Sequence, residues 1–225
     1  PVYREKDGSE IQDPDLNYQG DGILVAGDPQ EWSIYGRAEY RRSPMLLLPH
    51  YEEGTQSITR PDAYGVDFGF TAPTAVARIQ IEETKEGYKN IARAEEMLYE
   101  SQLTTRDLIN RLEDLGADKD LPMFCDSAEP DRIERLRQAG YNAKKSKKDI
   151  AAGLDCLRSH RLIVQGQNLV NELSSYQRKN KDSDLPRTGS KDHLVDALRY
   201  SVFSYTTQTA PDHDAVADAL SGLTL

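Results

Sequence analysis

The chain has 225 residues, 37% of them hydrophobic and 29% charged, with a formal net charge of −10. A chain of this length can bury roughly 70% of its unfolded surface, enough for one ordinary domain with extensions or for two small ones. No apolar run approaches the roughly 20 residues of a membrane helix, no basic-then-apolar leader opens the chain, and two cysteines without C-x-x-C spacing exclude a disulfide scaffold and a cysteine zinc site.

The first residue is Pro1 rather than Met, which reads as a piece of a longer polypeptide. Residues 1–60 are punctuated by Gly, Pro, Asp and Asn and read as a loop-rich extension or linker, with one short strand expected at Ile23–Ala26. Gly22 and Gly27 have P-loop spacing, but Asp28 and Pro29 stand where a Lys and a Ser or Thr would be needed, so no nucleotide site is read there. Period-two alternation then predicts a three-stranded meander: Tyr64 to Phe70, Thr74 to Ile81 and Tyr88 to Tyr99, with Gly87 in a turn. In the first of these, Val66, Phe68 and Phe70 fall on one face. Thr104 or Thr105 caps a helix that Gly116 ends. A short apolar run from Leu121 to Cys125 stops at Asp126, and Pro130 opens a helix that closes at Gly140. Further elements are a helix from Asp149 to Ser159, a strand from Arg161 to Gln165, a helix from Asn168 to Tyr176, a polar loop from Asn180 to Lys191 and a last helix from about Asp192. The order predicts an α/β domain with a central mixed sheet flanked by helices over 61–205, followed by an acidic tail over 206–225 with a weak helical pattern at Asp214 to Leu220.

The acidity is uneven. Between Pro130 and Lys148 there are 7 basic and 2 acidic residues, including Arg132, Arg135 and the run Lys144, Lys145, Lys147 and Lys148. Arg178, Lys179, Lys181, Arg187 and Lys191 form a second basic group. A lone charge run is ordinarily solvated surface. Here the two runs flank carboxylate motifs, as an enzyme acting on a polyanion requires.

Three acidic positions stand out. Asp67 lies mid-strand between Gly65 and Gly69, although Asp and Gly both disfavour strands; the glycines would leave room for a metal ion and a phosphate backbone. Asp126 ends a strand just before a helix, at the edge where α/β sheets bind ligands. In Asp192-His193-Leu194-Val195-Asp196, the acidic pair is spaced i,i+4 and His193 is i,i+3 from Asp196, so they share a helix face. Oxygen ligands of this kind suit Mg2+ or Mn2+. Two ions roughly 3.5–4 Å apart would relieve carboxylate repulsion, activate a water and stabilise both oxygens of an in-line phosphodiester displacement. Blander readings stay open: Asp192 as the cap of the last helix, Asp126 as the cap of the Pro130 helix, and His193 as a packing or surface histidine.

The stretches G-V-D-F-G-F-T at 65–71, D-S-A-E-P at 126–130 and D-H-L-V-D-A-L-R-Y at 192–200 resemble the C-terminal nuclease domain of the large terminase subunit of tailed bacteriophages. The likeness covers about 64–205; Ala72 departs from the Asp or Asn that many relatives carry before the proline. The resemblance implies a ribonuclease H-like fold and a metal-dependent endonuclease that cuts concatemeric viral DNA in the host cytoplasm. It implies that Asp67, Asp126 and Asp196 form the acidic triad, with His193 close to the metals and Asp192 as an auxiliary ligand. It also implies an N-terminal ATPase in the same polypeptide, with a portal and a small terminase subunit as partners. Because no Walker A motif is present, the chain reads as the nuclease part alone. Arg132, Arg135, Lys144, Lys145, Lys147 and Lys148 are expected to contact phosphates of double-stranded DNA. Two alternatives stand beside this one: a junction resolvase or strand-transfer enzyme of the same fold, and a non-catalytic docking module of a packaging motor.

Overall fold

The computed structural model describes residues 43–85, 89–180 and 183–209. The strand at Ile23–Ala26, the Gly22 and Gly27 spacing, the turn at Gly87, Lys181 and the Asp214–Leu220 pattern lie outside these residues.

Seven strands form one sheet: β1 (Tyr51–Glu53), β2 (Ala63–Asp67), β3 (Thr74–Glu82), β4 (Ile91–Glu100), β5 (Met123–Cys125), β6 (Ala143–Lys145) and β7 (Arg161–Gln165), in the order β1-β7-β4-β3-β2-β5-β6. β3 runs antiparallel to β2 and β4, and the remaining neighbours are parallel. The sheet is therefore mixed, as the element order predicts. The expected meander is present, but β2 stops at Asp67 rather than Phe70. The chain turns there because the Thr74 hydroxyl donates to the Gly69 carbonyl at 2.7 Å and accepts from the Gly69 N–H at 3.2 Å. Phe70, expected to share a strand face with Val66, is exposed in consequence.

Helices α1 (Thr105–Asp114), α2 (Pro130–Gln138), α3 (Ile150–Ser159), α4 (Gln167–Ser175) and α5 (His193–Thr209) cover the sheet. Local signals set their ends. Thr104 and Asp107 form a capping box on α1, whose following glycine, Gly116, has φ 68°. Pro130 occupies the first turn of α2, and Asp149 caps α3 through a 2.9 Å bond from the Ala152 N–H. Alternation in β2 separates two cores. Tyr64 and Val66 join Leu108, Leu112, Ile133 and Leu136 of α1 and α2 on one face. Ala63 joins Leu154, Leu157, Leu169, Leu173, Leu194 and Leu198 of α3, α4 and α5 on the other. α5 packs on β2 and β3 and against α3 and α4, which is why it is buried around most of its circumference.

Two strands escape sequence reading. β1 and β6 have three residues each, too few for alternation to register, and β6 (Ala-Lys-Lys) carries part of the basic run. No helix among the described residues is long and apolar enough to cross a membrane.

Candidate metal and nucleic-acid site

β2 and β5 are parallel neighbours with Val66 opposite Cys125, so Asp67 and Asp126 emerge side by side at their carboxyl ends. The Asp126 N–H donates to the Val66 carbonyl at 2.9 Å, which locks that register. The third carboxylate arrives on α5, and Gly65 admits it. Gly65 shares a sheet face with Asp67, and a Cβ there would lie 1.8 Å from the Ala197 carbonyl oxygen. The helix backbone thus rests directly on β2, with Asp196 beside Asp67. Gly69 has a related role: a Cβ would lie 2.4 Å from the Ala72 and Pro73 carbonyls. The flanking glycines make room for protein backbone, which corrects the expectation that they leave room for metal and phosphate.

The three carboxylates are close enough to influence one another. Burial pushes the Asp67 carboxyl above its ordinary value, outweighing the hydrogen bond from His193, and the charges of Asp196 and Asp126 add to the rise. The Tyr200 hydroxyl, raised chiefly by burial, also feels all three of Asp196, Asp126 and Asp67. Asp192 joins the same cluster: burial, then Asp196, pushes it up to about 6.

Each of the three carboxylates is engaged by a basic side chain. His193 Nδ1 donates to Asp67 Oδ2 at 2.9 Å, and this bond pushes the imidazole up. Arg199 donates to Asp196 Oδ1 at 2.8 Å, with the Tyr200 hydroxyl 3.4 Å from Oδ2. Lys148 forms an ion pair with Asp126. Among the described residues no three His, Cys, Asp or Glu side chains are drawn together at metal-ligand spacing. The donor set still fits a hard divalent cation, because it consists of carboxylate oxygens gathered at one edge.

The helix that carries Asp196 is seated by a residue the sequence reading passes over. Glu172 of α4 is 4% exposed. Its Oε2 accepts the Leu194 and Val195 N–H groups at 2.7 and 3.1 Å, and its Oε1 accepts the Tyr99 hydroxyl at 2.8 Å. Glu172, not the Asp192 side chain, satisfies these first-turn donors of α5. A signal existed: Leu169, Glu172, Leu173 and Tyr176 share helical spacing, which puts a charge on an apolar stripe. Asp126 is likewise not the cap of α2; its Oδ1 accepts the Ala128 N–H at 2.9 Å in a local turn.

The basic residues divide. Ser146 N–H donates to the Cys125 carbonyl at 2.9 Å, continuing the β5–β6 ladder and delivering the basic run to the carboxylate edge. Lys145, Lys147 and Lys148 are exposed and Lys144 is half-buried, with the Lys147 ammonium 5.7 Å from the Phe203 ring centroid. Arg135 is exposed on α2. Arg132 is placed differently. It stacks 4.6 Å from the Phe68 ring centroid and donates to the Gly69 and Leu103 carbonyls at 3.2 and 3.4 Å, so it holds the loop after Asp67 against α2.

No protein-family model matches this sequence, and no curated protein matches it. Solved structures do. The large terminase of a thermophilic bacteriophage, in its second crystal form, superposes with a TM-score of 0.55 at 18% identity over 83% of this chain and 55% of that one. The same terminase in complex with ATP-gamma-S gives 0.53 at 19% identity over 66% of this chain and 41% of that one. The P22 large terminase nuclease domain gives 0.50 at 17% identity over 70% of this chain and 87% of that domain. This chain thus spans about half the length of the thermophilic-phage terminase but most of the P22 domain. The seven-strand mixed sheet with helices on both faces is a ribonuclease H-like α/β fold, and in that fold the chain is similar to bacteriophage large terminases, among them the P22 large terminase nuclease domain.

Proposed function

We propose that this chain is the nuclease domain of a viral DNA-packaging terminase, a divalent-metal-dependent endonuclease that cuts concatemeric double-stranded DNA. The observation that supports the reading is that Asp67 and Asp126 stand at the carboxyl ends of adjacent parallel strands of a ribonuclease H-like sheet, with α5, which carries Asp196, seated on β2 at Gly65 and an exposed run of lysines nearby. Asp67, Asp126 and Asp196 would hold Mg2+ or Mn2+, with Asp192 as an auxiliary ligand. Two such ions, when bound, supply an activated water and charge stabilisation at the phosphorus.

The chain's own residues do the rest. Gly65 and Glu172 seat α5, which sets Asp196 against Asp67. His193 orients the Asp67 carboxylate and, when protonated, offers positive charge beside it. Lys144, Lys145, Lys147 and Lys148, with Arg135, attract the phosphate backbone without reading sequence. An ATPase in the same polypeptide, a portal and a small terminase subunit complete the proposed assembly, working in the host cytoplasm.

Plasmid nicking in Mn2+ tests the reading. The parent should convert supercoiled plasmid to open circles, and Asp67→Ala and Asp196→Ala should fall to background while keeping a cooperative melt. Variants that cut as well as the parent refute the assignment.

A further inference from the structure

The three basic partners of these carboxylates differ in how firmly they are held. Arg199, on Asp196, is 3% exposed. Its guanidinium also donates to the Lys148 carbonyl at 3.3 Å and lies 4.8 Å from the Tyr200 ring centroid. Its stem fills the space that Gly153 leaves, where a Cβ would come within 2.7 Å. His193, on Asp67, is anchored in the first turn of α5 with its side chain 24% exposed. Lys148 is the contrast: its side chain is 43% exposed, and the Asp126 carboxylate, 17% exposed, is the one acceptor its ammonium has among the described residues.

The backbone around Lys148 is nevertheless fixed. The Lys147 N–H donates to Ser204 Oγ at 3.0 Å, the Lys148 carbonyl accepts from Arg199, and Asp149 caps α3 immediately afterwards. A pinned backbone with a flexible four-carbon stem leaves the ammonium as the part that can swing.

We propose that Lys148 is an internal counter-ion of Asp126 which a divalent cation displaces, so that metal loading releases the ammonium to a DNA phosphate. The inference rests on the metal-dependent reading above and adds the order of events at its carboxylate edge. Without metal, three carboxylates within reach of one another repel, and the ammonium relieves that repulsion at Asp126. It does so on Oδ1, which already accepts the Ala128 N–H. A divalent cation on the same carboxylate would meet an ammonium of like charge at hydrogen-bonding range, so the two compete. Arg199 cannot yield in the same way, because burial and its contacts tie it down. Lys148 therefore couples the two ligands: the metal removes the competitor, and the freed charge adds one phosphate contact.

The probe is Mn2+ alone, titrated by calorimetry into the parent, Lys148→Gln, Lys148→Arg and Lys145→Gln, with metal-free melting temperatures measured in EDTA. Lys145 is exposed on the same run and controls for general loss of positive charge. K148Q should bind Mn2+ about fivefold more tightly than the parent, the change expected from losing one partly exposed competing ion pair. It should also melt lower in EDTA, while K148R keeps the parental affinity and K145Q shifts it less than about twofold. The proposal is overturned if K148Q binds Mn2+ no more tightly than the parent, if K145Q matches it, or if K148Q melts at or above the parent in EDTA. Mn2+ binding that is equal in parent and K148Q removes the counter-ion role and leaves the metal site standing. No binding by either removes both.

Discussion

Replacing Glu172 by Ala strips three hydrogen bonds from one buried carboxylate: those from the Leu194 N–H, the Val195 N–H and the Tyr99 hydroxyl. Two of the orphaned donors are backbone groups at the start of α5, and a buried donor left unpaired costs about 1–3 kcal/mol. Loss of an anion at a helix N-terminus adds about 0.3–2 kcal/mol. Together these put Glu172→Ala at about 4 kcal/mol, or a melting temperature lower by about 8–16 °C for a domain of this size. Glu172→Gln keeps the shape. Its amide oxygen can accept both N–H groups, and its NH2 can donate to the Tyr99 oxygen once that hydroxyl turns. Only the charge is lost, at about 1–2 kcal/mol. The assay is thermal and urea denaturation of parent and both variants, with Mn2+-dependent nicking in parallel, because α5 carries His193 and Asp196 in its first turn. E172A should lose nicking, and E172Q should retain part of it. A melting temperature for E172A within about 2 °C of the parent would refute the capping role, and equal damage from both variants would refute hydrogen bonding as its basis.

Gly65→Ala should leave little folded protein, since its Cβ would lie 1.8 Å from the Ala197 carbonyl oxygen and α5 would have to lift off β2; an unchanged melting curve would show that the helix is not seated there. Asp192 has a folded-state pKa of about 6 against 3.8 unfolded, so its contribution to stability is fully present below pH 3.8 and is lost as pH rises through 6. In metal-free buffer, Asp192→Asn should therefore gain about 1–2 kcal/mol over the parent at pH 7, the full shift being screened by solvent at this half-buried site, and show no such gain near pH 3, measured by urea titrations at both values. Arg132→Ala should lower the melting temperature without changing the salt dependence of DNA binding, because its guanidinium is spent on Phe68 and two carbonyls. Lys145→Gln should do the reverse, flattening the plot of log affinity against log salt by about one contact at constant stability.

Much of the scaffold was legible along the chain because the interactions that set it are local. Alternation over Thr74 to Ile81, the Thr104–Asp107 capping box, Pro130 at the start of α2 and Gly116 after α1 each depend on residues within about a turn of one another. The carboxylates were legible as breaches of local preference: an Asp flanked by glycines, an Asp ending a strand, and an Asp, His and Asp on one helical face. Their mutual placement was not. Asp67 and His193 are 126 residues apart in sequence and 2.9 Å apart in space, and no periodicity encodes that pairing. Nor could local pattern distinguish the arginine that stacks on Phe68 from the lysines that face solvent, since Arg132 and Lys145 look alike until a sheet and a helix are packed around them. The sequence by itself determined the five helices, the five longer or better-punctuated strands and which acids sit in odd places, but not the three-residue strands β1 and β6. Tertiary packing decided that Gly65 makes room for a helix, that Glu172 caps it and that Lys148 neutralises Asp126, because burial and charge pairing arise only when distant segments share one edge.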